Sequence, residues 1–395
     1  MAKPTIRFKG YTDDWEQRKV SEMFKVTRGY VLPATETSEE MNNEMPYPVY
    51  SSQTKDNGLM GYYGDYLYED AITWTTDGAN AGTVNFRAGK FYCTNVCGVL
   101  LSDKIEASKA VAEALNSVAK KYVSYVGNPK LMNNVMAEIQ ISVPSSKEER
   151  DKISSFFGSL DHLITLHQRK CEETKILKKY MLQKMFPQNE QKVPEIRFKG
   201  FTDDWEQRKL GEITELKSAS RVHKDEWTSN GVPFYRSSDV MAAINGTENE
   251  KAFISEELYE KLSKVSGKLE EGDILVTGGG SVGNPYIVLD NKPLYTKDAD
   301  LLWIKNKGKF HPYFLYEFFF SPTFRNYLRS ISHVGTIAHY TITQLSDTPI
   351  YLPSFEEQKE VGEYFQSLDH LITLHQRKCE ELQKIKKFML QNMFV

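Results

Sequence analysis

Hydrophobic positions recur along this chain with two different periods, and each period occurs in two places. Residues 156–186 and 364–394 carry apolar side chains at a three-four spacing, which predicts a long amphipathic helix in each segment. The mean spacing of 3.5 residues is typical of a coiled-coil seam, and about 28 residues at 1.5 Å each would span roughly 42 Å. We expect the two helices to pair antiparallel about a pseudo-two-fold axis. The positions expected at helix pairing and partner docking are Leu160, Ile164, His167, Cys171 and Met181 in the first helix and Leu368, Ile372, His375, Cys379 and Met389 in the second, with Leu163, Leu177, Leu371 and Ile385 widening the stripe.

Short apolar runs on either side of glycine-rich turns predict β-hairpins between the helical segments. Each hairpin is followed by a Tyr-containing strand-like element, which indicates that the two stretches share one fold and differ at their surfaces. Residues 310–331 are rich in aromatic residues and predict a buried helix. The strand, turn and strand are predicted at 71–76, 77–82 and 83–86 in the first hairpin and at 273–277, 278–283 and 286–289 in the second, with the Tyr-containing elements at 91–94 and 294–296.

The chain contains an internal tandem repeat whose similarity is confined to two blocks. Residues 4–24 match 194–214 at 15 of 21 positions, and residues 156–186 match 364–394 at 23 of 31. Between the blocks lie two almost unrelated segments, about 25–143 and about 215–352. The pattern indicates a fixed frame that carries exchangeable modules, each of mixed α/β (α+β) fold. We predict domains at 1–150 and 191–355, and long spacer helices at 151–190 (with a linker) and 356–395.

Composition adds restrictions on the kind of protein. A hydrophobic content of 40% and a charged content of 26% are ordinary for a globular protein. A net charge of −3 weighs against a nucleic-acid binder, since such domains are often strongly basic. The sequence shows no signal-peptide pattern and no apolar run of 18 residues, so we expect a cytoplasmic protein without a membrane span. Cys93 and Cys97 lack a second metal-ligand pair, and Cys171 and Cys379 are expected to be apolar helix residues, so no metal site is predicted.

The motifs that could indicate catalysis are incomplete. Residues 278–283 fit G-x-G-x-x-G, but a strand follows where a dinucleotide site needs a helix, so we interpret them as a hairpin turn. Asn284-Pro285-Tyr286 resembles part of an amino-methyltransferase motif without its second proline or an accompanying methyl-donor motif. No nucleotide-motor, His-Glu-x-x-His or G-x-S-x-G motif occurs. We therefore predict no catalytic residue and no cofactor bound by this chain itself.

Polar and aromatic clusters in the variable segments are the candidate binding residues. Asn and Gln suit adenine edges, Arg suits guanine, Ser and Thr suit either base, and Tyr and Lys suit phosphates. Tyr50-Ser51-Ser52 and Tyr235-Arg236-Ser237-Ser238 occupy corresponding places in the two modules, which favours a shared role. The predicted DNA-binding residues are Tyr50, Ser51, Ser52, Gln53, Asn57, Tyr62, Tyr63, Asn80, Asn85, Arg87 and Lys90 in the first module and Arg221, His223, Lys224, Tyr235, Arg236, Ser237, Ser238, Gly279, Ser281, His333, Thr336, His339 and Tyr340 in the second.

Three stretches resemble the specificity subunit of type I restriction-modification systems. They are W-E-Q-R-K-L-G-E-I at 205–213 with its near copy at 15–23, G-D-I-L-V-T-x-G-G-S-V-G at 272–283, and the ending at 342–372 with Pro349, Pro353 and Glu357-Gln358 before a long helix. The first module ends similarly at Val143-Pro144, although Glu149-Arg150 replaces Glu-Gln. The resemblance covers essentially the whole chain.

The resemblance implies that each variable segment is a target recognition domain for one half of a bipartite double-stranded DNA sequence. The paired helices would fix the unspecific spacer, and their roughly 42 Å is comparable to a DNA turn of about 34–36 Å. They would also dock two methyltransferase subunits, and a complete complex in the bacterial cytoplasm can add two endonuclease subunits. S-adenosylmethionine, ATP and Mg²⁺ would belong to those partners, which could also supply phosphate-binding charge. The alternatives are a protein–protein adaptor without a DNA role and a fused DNA methyltransferase with its own active site.

Overall fold

The computed structural model describes residues 4–52, 55–188, 191–297, 300–331 and 339–394. The chain forms two units, one of residues 1–169 with 376–395 and one of residues 170–375. Both boundaries fall inside long helices, so each unit contains one variable module and a part of both helices. This division differs from the predicted domain limits, which assigned the helices to segments of their own and stay predictions.

The first unit consists of a mainly β module followed by a long helix. Its helices are α1 (Val20–Met23), α2 (Lys109–Ala119), α3 (Asn133–Glu138) and α4 (Lys147–Lys184), the last of which continues into the second unit. Its strands are β1 (Glu16–Lys19), β2 (Phe24–Arg28), β3 (Tyr47–Tyr50), β4 (Leu59–Tyr63), β5 (Tyr68–Thr75), β6 (Val84–Cys93), β7 (Cys97–Ser102) and β8 (Gln140–Val143).

The first module contains a six-stranded sheet with the order β2-β7-β5-β6-β3-β4. The predicted hairpin is confirmed, since β5 and β6 pair antiparallel with Trp74 opposite Val84. The predicted Tyr-containing element is the end of β6, where Tyr92 and Cys93 pair in parallel with Val49 and Tyr50. The ten-residue strand β6 therefore joins both halves of the sheet.

The second unit contains the other module and the second long helix. Its strands are β9 (Glu206–Lys209), β10 (Leu216–Ser218), β11 (Trp227–Thr228), β12 (Val232–Tyr235), β13 (Ala252–Ile254), β14 (Ile274–Thr277), β15 (Pro285–Ile287), β16 (Tyr295–Thr296), β17 (Leu301–Ile304) and β18 (Pro349–Leu352). Its helices are α5 (Leu210–Ile213), α6 (Ser237–Asn245), α7 (Glu256–Ser266), α8 (Pro312–Phe318), α9 (Pro322–Ser330), α10 (Ile342–Ser346) and α11 (Phe355–Met393), which continues into the first unit.

The second module repeats the strand arrangement of the first with one break. Its sheet β10-β17-β14-β15 corresponds to β2-β7-β5-β6, and the predicted hairpin β14–β15 is confirmed. In its other sheet, β12 pairs in parallel with β16, with Phe234 and Tyr235 opposite Tyr295 and Thr296. The shared fold predicted for the two modules is therefore confirmed. The difference is that separate strands β15 and β16 replace the single strand β6, which divides one sheet into two.

The repeated N-terminal blocks build the same structure in each unit. β1 pairs antiparallel with β8, and β9 pairs in the same way with β18. The Arg7 guanidinium donates to Glu149 at 2.7 and 2.8 Å, and that of Arg197 donates to Glu357 at the same two distances. Both glutamates are only 1% exposed. Each block is therefore fixed to the start of a long helix by a buried, bidentate ion pair.

The predicted long helices are confirmed, and they are longer than expected. α4 has 38 residues and α11 has 39, which corresponds to about 57–59 Å. Within the first unit, Phe157 packs near Phe394 and Lys386 bonds Asp161, so the two helices run antiparallel there. Within the second unit they are also antiparallel, as Cys171 approaches the Ile372 carbonyl and Lys178 bonds Asp369. The four leucine and isoleucine positions expected to widen the stripe are exposed by 40–43%, which corrects that expectation: Leu163, Leu177, Leu371 and Ile385.

The prediction of one helix over 310–331 is wrong in one respect. Two helices, α8 and α9, occupy this stretch, because Pro322 has no backbone N–H and disfavours a helical residue before it. Ser321 caps α9 by accepting a hydrogen bond from the Phe324 backbone. The aromatic residues are buried as predicted, and Phe314, Phe319 and Phe324 are 0% exposed.

Candidate nucleic-acid interface

The tip of the first hairpin, residues 76–83, collects several predicted binding residues. Asn80 donates its side-chain amide to the Ser52 carbonyl at 3.0 Å, which joins the tip to the end of β3. The Thr94 hydroxyl donates to the Ser51 hydroxyl at 3.1 Å, and the Thr94 backbone N–H donates to the Tyr50 carbonyl at 2.9 Å. Tyr50, Ser51, Ser52 and Asn80 therefore lie together and are all partly exposed.

Arg87 has to be corrected from a DNA-contacting residue to a positioning one. Its guanidinium is 3.7 Å from the centre of the Tyr50 ring and donates to Thr73 Oγ1 at 3.1 Å and to the Asn57 carbonyl at 2.7 Å. The residue is only 8% exposed, and burial lowers its pKa. Because its donors are used inside the module, Arg87 holds Tyr50 and Asn57 in place.

Other predicted residues of the first module have different surroundings. Asn57 is exposed with a φ of +54°, a conformation that asparagine tolerates. Asn85 lies on β6 opposite Thr73. Tyr63 packs edge-on against Tyr92, Tyr62 pairs with Ser38, and Lys90 lies 4.5 Å from the centre of the Tyr66 ring. The contacts of these last three residues are not with the hairpin tip. Gln53 lies outside the described residues.

A loop that the sequence analysis missed packs against the same tip. The Gly78 backbone donates to the Pro129 carbonyl at 2.9 Å, and the Leu131 backbone donates to the Thr76 carbonyl at 2.8 Å. The indole of Trp74 donates to the Leu131 carbonyl at 3.1 Å. We call residues 120–132 the Lys-Tyr loop. Its sequence signal was a Lys-Lys-Tyr run followed by Tyr-Val-Gly-Asn-Pro-Lys between two helices.

The tip of the second hairpin is held by side chains of its own module. The Asn284 backbone donates to Thr277 Oγ1 at 2.9 Å, and its side-chain amide donates to the Ser281 carbonyl at 2.7 Å. Arg325 on α9 supports this turn by donating to Asn284 Oδ1 at 3.0 Å, and burial lowers its pKa. Ser281 is exposed at the turn, whereas Gly279 is buried and takes part through its backbone. The interpretation of residues 278–283 as a hairpin turn is confirmed.

The Tyr-Arg-Ser-Ser segment of the second module lies beside this tip. The Ser237 hydroxyl donates to the Asp300 carbonyl at 3.0 Å, and the Gly278 backbone donates to the same carbonyl at 2.8 Å. Tyr235 packs edge-on against Tyr286, and Ser238 is exposed. Arg236 donates to Asp239 Oδ2 at 2.9 Å and lies 5.5 Å from the Trp227 ring.

His339 and Tyr340 were predicted together, but they face different ways. His339 is exposed, and its backbone forms an isolated antiparallel β-bridge with Gly279 at the tip. Tyr340 is 1% exposed, its hydroxyl bonds Thr348, and its ring packs against Phe324. The assignment of Tyr340 to DNA contact is therefore corrected, because its side chain belongs to the core. His333 and Thr336 lie outside the described residues.

Arg221, His223 and Lys224 form an exposed group in the second module. The preceding residue, Ser220, accepts from and donates to the Tyr295 hydroxyl, which fixes this segment beside β16. The His223 backbone donates to Glu226 at 2.7 Å and opens a short 3-10 turn at Lys224–Glu226. These three exposed side chains lie between β10 and β11, in a segment that the Ser220–Tyr295 contacts join to β16.

The predicted helix-pairing residues are mostly inside the helix contacts of each unit. Leu160, Ile164, Cys171 and Leu368 are 5–9% exposed. The others are partly buried: His167, Met181, Ile372, His375, Cys379 and Met389.

A lysine interrupts each helical seam and is paired in the same way in both units. In the second unit, the Lys178 ammonium bonds Asp369 of α11 at 2.7 Å and Glu317 of α8 at 2.8 Å. In the first unit, the Lys386 ammonium bonds Asp161 of α4 at 2.7 Å and Glu113 of α2 at 3.0 Å. α2 and α8 both follow the last strand of their sheet, so these glutamates occupy equivalent places. Each lysine thus connects both long helices to a module.

Possible metal ligands and free thiols are the remaining groups of the described residues that could carry chemistry. Across those residues no group of three or more His, Cys, Asp and Glu side chains could hold a metal ion. Cys93 and Cys97 are buried free thiols, and burial raises the pKa of both, that of Cys97 to about 11. They are therefore poor thiolate donors at neutral pH. No described helix is long and apolar enough to cross a bilayer.

Comparison with known sequences identifies two matching segments. Residues 12–175 and 202–384 match the family described as the type I restriction modification DNA specificity domain. A Methanocaldococcus jannaschii protein, the type I restriction enzyme MjaVIII specificity subunit, is 25% identical over 405 aligned residues, which cover 95% of this chain and 91% of that protein. A Mycoplasma pneumoniae protein described as the N-terminus of a type I specificity subunit is 39% identical over 144 residues, 36% of this chain and 75% of its own length.

Comparison with solved structures shows the same fold. The S subunit of a type I restriction-modification system from M. genitalium superposes with a TM-score of 0.70 at 16% identity, covering 100% of this chain and 99% of that one. A chain from a study of complex assembly and conformational transition of the type I restriction-modification system gives a TM-score of 0.50 at 15% identity, covering 97% of both.

Proposed function

Because the chain belongs to the type I restriction-modification DNA specificity family, we propose that it gives such a complex its sequence specificity, each module reading one half of a bipartite double-stranded DNA target. The long helices dock two methyltransferase subunits and fix the unspecific spacer between the half-sites. S-adenosylmethionine, ATP and Mg²⁺ are bound by partner subunits, among them two endonuclease subunits where these are present. The chain itself performs no catalytic step.

The observation that carries this proposal is a constant frame with different hairpin tips. Both modules place a Tyr-Ser-Ser or Tyr-Arg-Ser-Ser segment next to the tip of the same hairpin, at Asn80–Ser52 in one and at Ser237–Asp300–Gly278 in the other. The frame contacts Arg7–Glu149 and Arg197–Glu357 are nearly identical. A protein that recognises two unrelated half-sites needs one scaffold with two different surfaces. The scaffold positions the backbone on the DNA, and the side chains of each surface contact the base edges.

Docking by the helices is supported by their exposed apolar positions. Leu163 and Leu371, at equivalent places in the two repeats, are 40% and 41% exposed, and Tyr180 and Phe388 are 47% and 55% exposed. Apolar side chains that recur at the same positions of two repeats offer two similar surfaces, which suits two copies of one partner.

The test is co-expression of this chain with its methyltransferase partner, followed by methylome sequencing. We expect one bipartite methylated motif that is absent from cells with the partner alone. A methylated motif that is not bipartite would contradict recognition of one half-site by each module. Salt-sensitive DNA binding by the complex supports a DNA role, and a complex that binds no DNA would make the chain a protein adaptor.

A further inference from the structure

The Lys-Tyr loop of the first unit exposes an apolar group of side chains at the edge of the hairpin tip. Tyr122, Tyr125, Val126 and Met132 are 46%, 71%, 92% and 54% exposed. Among the described residues, neither tyrosine has a hydrogen-bond or ring partner. Exposed apolar groups of this kind next to a binding surface mark a contact site.

The positive charge of the loop favours an anionic partner. From residue 114 to 137 the sequence has three lysines and neither Asp nor Glu, in a chain whose net charge is −3. Lys130 faces Asp77 at 3.4 Å. Lys120 and Lys121 are exposed, and no described carboxylate pairs with them. A basic patch interleaved with tyrosine is typical of a nucleic-acid contact.

The loop is fixed to the hairpin tip by packing as well as by backbone hydrogen bonds. A Cβ atom at Gly82 would lie 2.8 Å from the Val123 side chain and 3.3 Å from the Lys120 Cα, so tip and loop are in direct contact. The Gly78–Pro129 and Thr76–Leu131 bonds fix its other end. These contacts hold the loop against the tip that carries Asn80.

The second module places a predicted binding residue at the equivalent position. The backbone of Lys130 forms an isolated antiparallel β-bridge with Asp77, and that of His339 forms the same kind of bridge with Gly279. The next residues, Leu131 and Tyr340, are both buried and donate their backbone N–H to the start of the tip. The same structural position thus carries an exposed basic or imidazole side chain in each module.

We propose that the Lys-Tyr loop contacts the DNA half-site read by the first module, with Lys120 and Lys121 on phosphates and Tyr125 and Val126 against base edges in the groove. This inference rests on the proposed function. Lysines on phosphates contribute affinity without sequence preference, whereas apolar contacts with base edges such as the thymine methyl group contribute discrimination.

The test uses the complex of this chain with its methyltransferase partner and four DNA duplexes: one with the methylated motif, one of unrelated sequence, and two in which only one half-site of the motif is altered. The Lys120→Ala/Lys121→Ala variant should weaken binding to all four duplexes and reduce the slope of log affinity against log salt by about 2, or roughly 0.9 per lost phosphate contact. The Tyr125→Ala variant should reduce discrimination at the half-site of the first module about 10-fold and leave the other half-site unchanged.

A matched control removes two exposed lysines elsewhere in the same module. Lys25 pairs with Leu101 near the end of β7 remote from the tip, and the Lys104 backbone donates to the Met23 carbonyl there. Lys25→Ala/Lys104→Ala should leave the salt slope at the wild-type value. An unchanged slope in Lys120→Ala/Lys121→Ala would overturn the loop assignment, provided the wild-type complex binds its motif. If the wild-type complex binds no motif, the proposed function itself fails.

Discussion

The ammonium of Lys178 lies 2.8 Å from the carboxylate of Glu317, which is 0% exposed. The same ammonium bonds Asp369, so one cation serves two carboxylates. In the first unit Lys386 faces Asp161 and Glu113, but a second lysine, Lys109, also reaches both carboxylates. The two junctions are built alike, and they differ in charge by one lysine.

This difference predicts unequal costs for removing the seam lysines. At pH 9, Lys178→Met should lower the free energy of unfolding by about 3 kcal/mol, because the buried Glu317 side chain loses the cation that it contacts. Lys386→Met should lower the free energy of unfolding by only about 1 kcal/mol, since Lys109 still contacts both carboxylates. Urea denaturation of both variants measures the difference. Equal costs would show that Lys109 does not compensate.

The same imbalance predicts a pH dependence. Burial, together with the nearby Asp369, raises the pKa of Glu317 to about 8, although Lys178 acts in the opposite direction. An acid whose pKa is higher in the folded state binds more protons there, so stability falls as pH rises from about 4.5 to about 8. In the Glu317→Gln variant, the decrease in the free energy of unfolding over this pH range should be smaller by roughly 1–3 kcal/mol. Unfolding of both proteins at pH 5, 7 and 9 checks this, and parallel curves would contradict it.

The first unit provides a control for that measurement. Burial alone would raise the pKa of Asp161, but hydrogen bonds from Lys109 and Lys386 outweigh it and hold the pKa below its usual value. A depressed pKa contributes stability that is lost only as pH falls below the ordinary range of aspartate. Asp161→Asn should therefore leave the change in stability between pH 5 and pH 9 close to that of the wild type.

The helices could be predicted from sequence far better than these junctions. Spacing alone predicted α4 and α11. Glu317, the partner of Lys178, is 139 residues away from it, and only the docking of α8 on the helix brings it near. Local periodicity carries no information on such a contact.

For the candidate interface, too, the sequence does not show which polar side chains are buried. Residue type singled out Tyr340 and Arg87, but both are buried, because packing and not chemistry decides which polar side chain faces solvent. The Lys-Tyr loop escaped notice since Lys and Tyr are ordinary loop residues until the tip is seen beside them. What sequence did predict was the corresponding placement of Tyr50 and Tyr235, each at the end of a strand that pairs in parallel with the Tyr-containing element, which is the end of β6 in the first module and β16 in the second.

Two glycines of the second tip give a further prediction. Gly280 and Gly283 have φ values of +70° and +77°, so an alanine at either position is strained by a similar amount. A Cβ at Gly283 would lie 2.9 Å from the Leu328 side chain and 3.0 Å from Phe324, whereas Gly280 has no atom within 4 Å. Gly283→Ala should therefore cost about 1–3 kcal/mol more than Gly280→Ala. Thermal unfolding compares them, and equal melting temperatures would contradict the packing of the tip on α9.

The spacer role of the helices predicts the effect of matched deletions. Removing one heptad from each helix, 166–172 and 373–379, shortens each by about 10.5 Å and nearly preserves the seam face. The unspecific spacer should then be about three base pairs shorter, with both half-sites unchanged. Methylome sequencing reads this directly. An unchanged spacer in a folded, active variant would exclude the helices as the ruler.

If each module reads its own half of the target, the exchange of one module should change that half alone. Residues 25–143 are replaced by the corresponding segment of a relative, and the variant is co-expressed with the methyltransferase partner for methylome sequencing. We expect a motif with one new half, whereas the other half and the spacer are those of the wild type. A motif in which both halves change, or neither does, would contradict it.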